Sequence, residues 1–419
     1  MTTQWEALIS AAGRNLRGSA VRELFKVVQR PGMISFGGGM PAPETFPCEE
    51  VAQACAQVLR EQGAVALQYG QTEGYNPLRD YIAEATMAEQ GLFARRENIL
   101  ITTGGLQVAD LLPKVLLDPG EAIVVEAPTF LGALASFSPY RPRYISIPMD
   151  EQGMQVERLE EMLPGERGVK LIYAIPNFQN PAGCTMSLAR REKLVALADA
   201  HGIPIYEDDP YSQLRFSGEP LPPLIVLDQK RLGVPAGPDA YEAGNVLYAG
   251  SFSKILSPGI RLGWVAGPTP IIAQLARAKQ GTDLHTSLLV QMIAYELCRQ
   301  GFFPGHIARI RELYRKRRDL MLSLMRQHFP AEARWTEPEG GLFLWVTLPE
   351  GVDAAAILPE AVEEGVAFVA GRPFYAGEGG QNCMRLNFSN ASEEQLERGI
   401  VRLGAVLKRH VGALERSNV

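Results

Sequence analysis

At 419 residues with 46% hydrophobic content, the chain is longer than one compact domain normally holds and can bury a large core, so two domains are expected. Its formal net charge of -6 comes from interspersed rather than segregated charges, which argues against a general nucleic-acid or anionic-membrane binder and for small-molecule ligands. The five cysteines, Cys48, Cys55, Cys184, Cys298 and Cys383, are scattered, with no CxxC pair and no histidine at ligand spacing; no metal site is expected, and without a leader or a spanning apolar run the chain reads as cytoplasmic.

In chain order, residues 1–30 read as a helical arm: Leu8 and Ile9, then Val21, Leu24, Phe25 and Val28, recur at helix-like spacing until Pro31-Gly32 breaks the pattern. Gly37-Gly38-Gly39 follows a short apolar run and suits either a flexible turn or a backbone that approaches a ligand; no dinucleotide fingerprint surrounds it. A helix is expected from Pro47, with Val51, Ala54, Cys55, Val58 and Leu59 as its apolar face. From about residue 98 to 268, short apolar runs at 99–101, 122–125, 171–175, 203–206, 246–249 and 263–266 alternate with helical stretches, one of them opened by Ser187 as N-cap and closed by Gly202. Near-continuous apolar strands separated by helices mean a mainly parallel sheet covered on both faces, with ligands at the carboxyl ends of its strands. After residue 268 come helices at 270–280, 287–300 and 304–328. The last carries Arg309, Arg311, Arg315, Lys316, Arg317 and Arg318, expected on a solvated face. From 340 onward an αβ mixture suggests a smaller second domain.

Four polar clusters each follow an apolar run. Thr102-Thr103-Gly104-Gly105 enters a helix and offers free backbone N–H groups, suited to an ordinary turn or to a phosphate. Asn180, held by Pro181, is either part of a ligand-free turn or an amide donor to a phenolate oxygen. Glu207-Asp208-Asp209 places carboxylates on alternate faces, a poor divalent-cation loop but one that can aim a single carboxylate at a pyridine nitrogen. Ser251-Phe252-Ser253-Lys254, with Arg261 seven positions beyond the lysine, sets an amine between hydroxyls at a strand end, a combination that suits pyridoxal 5'-phosphate.

In this order the clusters resemble the class I and II aminotransferases, pyridoxal-phosphate enzymes of fold type I, and within them the subgroup of 2-aminoadipate, kynurenine and aromatic or branched-chain aminotransferases. The likeness runs through 36–41, 68–75, 177–183, 207–211, 251–254 and Arg385. It implies an α/β fold: a large cofactor-binding domain over 50–304 with a mainly parallel seven-stranded sheet between helices, a smaller α/β domain from 31–49 and 305–419, and an arm over 1–30. It implies transfer of the amino group of an L-amino acid to a 2-oxo acid such as 2-oxoglutarate, through an aldimine on Lys254, which also acts as general base. Asp208 would pair with the pyridinium, Asn180 and Tyr211 would bind the phenolic oxygen, and Phe130 would stack on the ring. Ser251, Ser253, Arg261 and the amides of Gly104 and Gly105 would hold the phosphate, with Tyr69 reaching across from the second subunit of a homodimer. Arg385 would clamp the α-carboxylate, Gly39 and Asn180 would line the substrate side, and Arg22 in the arm would meet a second carboxylate.

Two departures stand out. Gly105 and Leu106 occupy places where the family commonly has a hydroxyl residue and a glutamine, and Phe130 stands where tyrosine is common; both imply weaker cofactor affinity. A lyase or synthase on the same scaffold would share these residues. Domains of this kind also serve as ligand sensors in regulators fused to a DNA reader, for which the early start of the likeness is expected to leave no room.

Overall fold

A computed structural model describes residues 3–16, 32–233 and 241–417. The apolar runs form one eight-stranded sheet: β1 (Ile99–Thr102), β2 (Ala122–Ala127), β3 (Arg143–Asp150), β4 (Gly153–Met154), β5 (Val169–Ala174), β6 (Ile205–Asp208), β7 (Val246–Ser251) and β8 (Gly263–Ala266). Their order is β1-β8-β7-β6-β5-β2-β3-β4. Strands β7, β6, β5, β2 and β3 are parallel, β8 is antiparallel to both β7 and β1, and β4 folds back on β3. Alternate residues of each strand enter different cores: Ile99, Ile101, Val124, Ile172 and Ile205 lie in one, Leu100, Ile123, Val125, Leu171 and Tyr206 in the other. That is why these strands read as continuous rather than alternating apolar runs.

The expected seven strands are present with the two-residue β4 in addition. β3 gave no apolar run because it lies towards the sheet edge: Ile145 and Ile147 are buried, but Arg143 and Pro148 are exposed. Helix ends follow local chemistry with one difference. Gly202 closes the helix Leu188–His201 in the left-handed conformation, as its missing Cβ allows. Ser187 stands at the N-cap, yet its buried hydroxyl makes no capping bond. In the helix Cys48–Ala66, Ala54 and Val58 are buried, whereas Leu59 is 40% exposed, contrary to its expected place on the apolar face.

A second sheet, antiparallel, orders Arg334–Trp335, Phe343–Thr347, Cys383–Asn387 and Val369–Ala370. Beside it Ile34–Ser35 pairs in parallel with Val366–Ala367, and the Asn387 N–H donates to the Phe36 carbonyl at 2.7 Å. These bonds carry the Gly37–Gly39 segment to the strand that bears Arg385. The long helix Phe303–His328 corrects the expectation of a wholly solvated basic face. Arg317 is buried, donates to the Ser389 carbonyl at 2.5 Å and pairs with Glu44, while Arg318 donates to the Pro338 carbonyl and lies over the Phe216 ring. Position on the helix decided this: Arg317 shares its side with Ile310, Tyr314 and Met321, all buried.

Candidate active site

The carboxyl ends of β1, β5, β6 and β7 open onto one cavity of about 400 Å³, closed on its far side by Arg385 and Phe343 of the second sheet. Lys254, three residues past the end of β7, is pinned among these walls, and its Nζ donates to the Gly39 carbonyl at 2.7 Å. Burial, with Arg385 and Arg261 adding repulsion, pushes its ammonium down to about 8. An amine half neutral near physiological pH is a nucleophile; an ordinary lysine, titrating near 10.4, is not.

The three consecutive carboxylates separate as strand geometry requires. Glu207 accepts from the Leu224 and Ile225 N–H groups at 2.9 and 3.0 Å, and Asp209 accepts from the Tyr248 hydroxyl at 2.9 Å and the Ser212 N–H at 3.0 Å. Only Asp208 lines the cavity, accepting from the Tyr173 hydroxyl at 2.8 Å. Burial pushes Asp208 up to about 7, opposed by that hydrogen bond and assisted by Asp209. A cation placed against it would draw the carboxylate back to its charged form.

At the opposite wall Arg385 is 3% exposed. Its Nη1 donates to Asn180 Oδ1 and its Nη2 to the Gly37 carbonyl, both at 2.8 Å, and its guanidinium lies 4.1 Å from the Phe343 ring centre. The Nε hydrogen has no partner, an orphaned donor in a buried cation. Asn180, with its Oδ1 taken by Arg385, keeps its amide hydrogens for the Tyr211 hydroxyl; burial raises Tyr211 above its ordinary range.

The fourth wall is a ring of donors. Gly104, at φ 78°, caps the helix Gly105–Leu116 and turns the first N–H groups outward. That positive φ, with ψ at 166°, favours glycine, and a Cβ there would also fall 2.7 Å from Arg261 Nη2 and push the guanidinium aside. Ser251 and Ser253 line the same end, and the Ser253 N–H donates to Ser251 Oγ. Gln107 is not free to replace the absent side chains of Gly105 and Leu106: its Oε1 accepts from the Thr103 N–H and Lys279, and its Nε2 donates to Asp283.

The structure therefore brings together Lys254, Asp208, Tyr211, Asn180, Gly105, Phe130, Ser251, Ser253, Arg261, Arg385 and Gly39 around one cavity. It does not bring Tyr69 there within the chain; that ring is 78% exposed and meets His285 edge-on at 6.0 Å. Arg22 lies outside the described residues. Sequence reasoning missed Met40, Leu131 and Phe343 as wall residues and Tyr173 as the partner of Asp208. Leu131, Phe343 and Tyr173 read locally as ordinary core, and Met40 lies inside the 36–41 likeness without a role of its own.

The family model for class I and II aminotransferases matches residues 31–403. The chain belongs to that family. Among relatives of this aminotransferase, the aromatic-amino-acid aminotransferase 1 of Thermococcus litoralis is 43% identical over 97% of this chain and 95% of its own length. The 2-aminoadipate transaminase of Thermus thermophilus is 43% identical over 96% and 97%. The crystal structure of an alpha-aminoadipate aminotransferase of Thermus thermophilus, complexed with N-(5'-phosphopyridoxyl)-L-leucine, superposes with a TM-score of 0.89 at 40% identity, covering 98% of this chain and all of that one. Fold type I and pyridoxal 5'-phosphate are thus this aminotransferase's fold and cofactor. The donor set fits the group: N–H and hydroxyl donors with Arg261 for a phosphate, Asp208 for a ring cation, and Lys254 for an aldehyde.

Proposed function

We propose that this aminotransferase carries the amino group of an L-amino acid, aromatic or branched-chain as well as 2-aminoadipate or glutamate, to a 2-oxo acid such as 2-oxoglutarate. The observation that carries the reading is one cavity in which a lysine of lowered pKa faces a buried arginine with an unpaired donor. Pyridoxal 5'-phosphate, when bound, supplies an electrophilic aldehyde and a ring that accepts electron density from the substrate Cα. Lys254 would hold the aldehyde carbon at rest and would serve as the base that moves the proton between the substrate Cα and C4'. Asp208 holds the ring nitrogen protonated. Asn180 and Tyr211 donate to the phenolic oxygen. Arg385 orients the α-carboxylate, Phe130 covers the ring face, and Ser251, Ser253, Arg261 and the Gly104–Gly105 turn hold the phosphate.

Met40, Leu106, Leu131 and Phe343 supply apolar wall for aromatic and aliphatic side chains, and the names of the relatives support aromatic and 2-aminoadipate donors. A second carboxylate is assigned to Arg22 of the arm 1–30. The small domain is assigned to 31–49 and 305–419 and the large one to 50–304. The active unit is assigned as a cytoplasmic homodimer with Tyr69 contributed to the neighbouring phosphate site, which the exposure of Tyr69, Val65 and Leu67 supports. All five cysteines are free, and no helix among the described residues is long and apolar enough to cross a membrane.

One experiment tests the reading: mix the loaded enzyme with each of a panel of amino acids and follow pyridoxamine phosphate. Its formation without any 2-oxo acid is expected, and a lyase product in its place would overturn transamination. Lys254→Ala is expected to lower turnover by about 10⁴-fold or more. Arg22→Ala should impair 2-aminoadipate and glutamate about tenfold more than leucine; equal losses would remove Arg22 from the substrate site.

A further inference from the structure

The loop that carries Asn180 is held by a buried pair that takes no direct part in the proposed chemistry. Glu126, near the end of β2, is 1% exposed and accepts from the Ile175 N–H at 3.3 Å and from Gln179 Nε2 at 2.8 Å. Gln179, also 1% exposed, uses every polar atom it has. Its Nε2 donates in addition to the Pro128 carbonyl at 2.9 Å, its Oε1 accepts from the Ala182 N–H at 2.8 Å, and its backbone bonds to the Cys184 carbonyl and the Gly183 N–H. Pro128 lies two residues before Phe130, and Gln179 directly precedes Asn180. One side chain therefore joins the segment bearing the ring-covering phenylalanine to the segment bearing the amide that meets Tyr211 and Arg385.

A buried carboxylate is costly unless its lone pairs are filled, and a structural core would do as well with two apolar residues. What a hydrogen-bonded carboxylate–amide pair adds is direction: the donors and acceptors fit in one geometry only. The direction fixed here is that of Asn180, whose Oδ1 is held by Arg385 and whose amide meets the Tyr211 hydroxyl.

We propose that Gln179, braced by Glu126, is a positioning residue for the reaction: it sets the aim of Asn180 and, through Arg385, the grip on the substrate α-carboxylate. The inference rests on the transaminase reading of the site, and its effect is to be seen where Asn180 and Arg385 act. An Asn180 that donates well to the phenolic oxygen stabilises its anion and keeps the pH midpoint of the bound cofactor's visible absorption low.

The test is a pH titration of that absorption, with steady-state kinetics, on cofactor-loaded wild type, Gln179→Ala and Glu126→Gln. A wild-type band that titrates establishes the site itself, independently of the variants. Gln179→Ala is expected to raise the midpoint by about 1 pH unit and KM for the amino donor by about tenfold, with kcat falling less. Glu126→Gln, which keeps the packing and one acceptor, should shift both in the same direction by a smaller amount and serves if Gln179→Ala does not fold. Variants that lose only thermal stability, with midpoint and KM as in the wild type, would reduce the pair to a structural one and overturn the proposal.

Discussion

Burial sets the acid–base behaviour of single residues here before any ligand enters. Lys254 at about 8 implies that capture of pyridoxal 5'-phosphate by the cofactor-free chain has a rate that rises with pH and is half-maximal near 8, followed as the growth of visible absorbance; a midpoint near 10 would show an ordinary lysine. Asp208 carries the opposite charge and has a consequence for stability. Its folded value of about 7 lies above the ordinary carboxylate value of about 3.9, so between those limits the unfolded chain holds fewer protons and this group withdraws stability as pH rises. Glu126 and Glu207, both pushed up to about 8 by burial first, act with the same sign. Lys254 acts with the reverse slope, in the window from about 8 to about 10.4. Asp208→Asn is therefore expected to raise the melting temperature of the cofactor-free protein at pH 8 by about 2–4 °C while weakening cofactor binding more than about tenfold. Thermal scans and a cofactor titration at that pH check both halves.

At the scale of elements, the site is a set of strand ends and one helix start. The carboxyl ends of β5, β6 and β7 deliver Asn180, Asp208 and Lys254, and the entry to Gly105–Leu116 delivers backbone N–H groups. This much was legible because parallel strands buried on both faces announce themselves as apolar runs, and because the polar clusters after those runs, each open to an ordinary turn alone, together carry the family resemblance. Strand β3, next to the edge, was not legible, since exposed positions interrupt its run. The glycine at the helix start also defines an experiment. Gly105 has helical backbone and free space, the nearest atom to an added Cβ being Asp208 Oδ1 at 3.9 Å. Gly105→Ser should thus fit without strain and add a hydroxyl at the phosphate end, tightening the cofactor by roughly three- to tenfold in a fluorescence titration; unchanged or weaker binding would mean that the backbone donors already saturate the phosphate.

At the scale of the whole molecule, the two sheets meet across the cavity, where Arg385 of the second sheet donates to Asn180 Oδ1 beyond β5, and side-chain hydrogen bonds brace the surroundings of the second sheet itself. Arg317 ties the helix Phe303–His328 to Ser389 and Glu44, and the Ala42 N–H donates to the Tyr314 hydroxyl of the same helix at 2.9 Å. Arg317→Met leaves the Ser389 carbonyl without this donor, and an expected loss of about 2–4 kcal/mol should appear as a lower urea midpoint. If the strap also holds the Gly37–Gly39 segment in place, substrate KM rises with it, because Arg385 and Lys254 both bond to that segment's carbonyls.

The sequence by itself determined the sheet class and the strand-end placement of Lys254, Asp208 and Asn180, because these follow from local periodicity and from residue types adjacent in the chain; the cofactor followed from the resemblance that the ordered clusters carry together. Tertiary structure alone decided where the carboxylates on either side of Asp208 are buried and bonded, that Arg317 is a strap rather than a solvated charge, and that Gln179 meets Glu126 across 53 positions. The physical reason is the same in each case. A side chain's partner and its exposure are properties of what packs against it, and distant segments supply that packing only when the chain is folded.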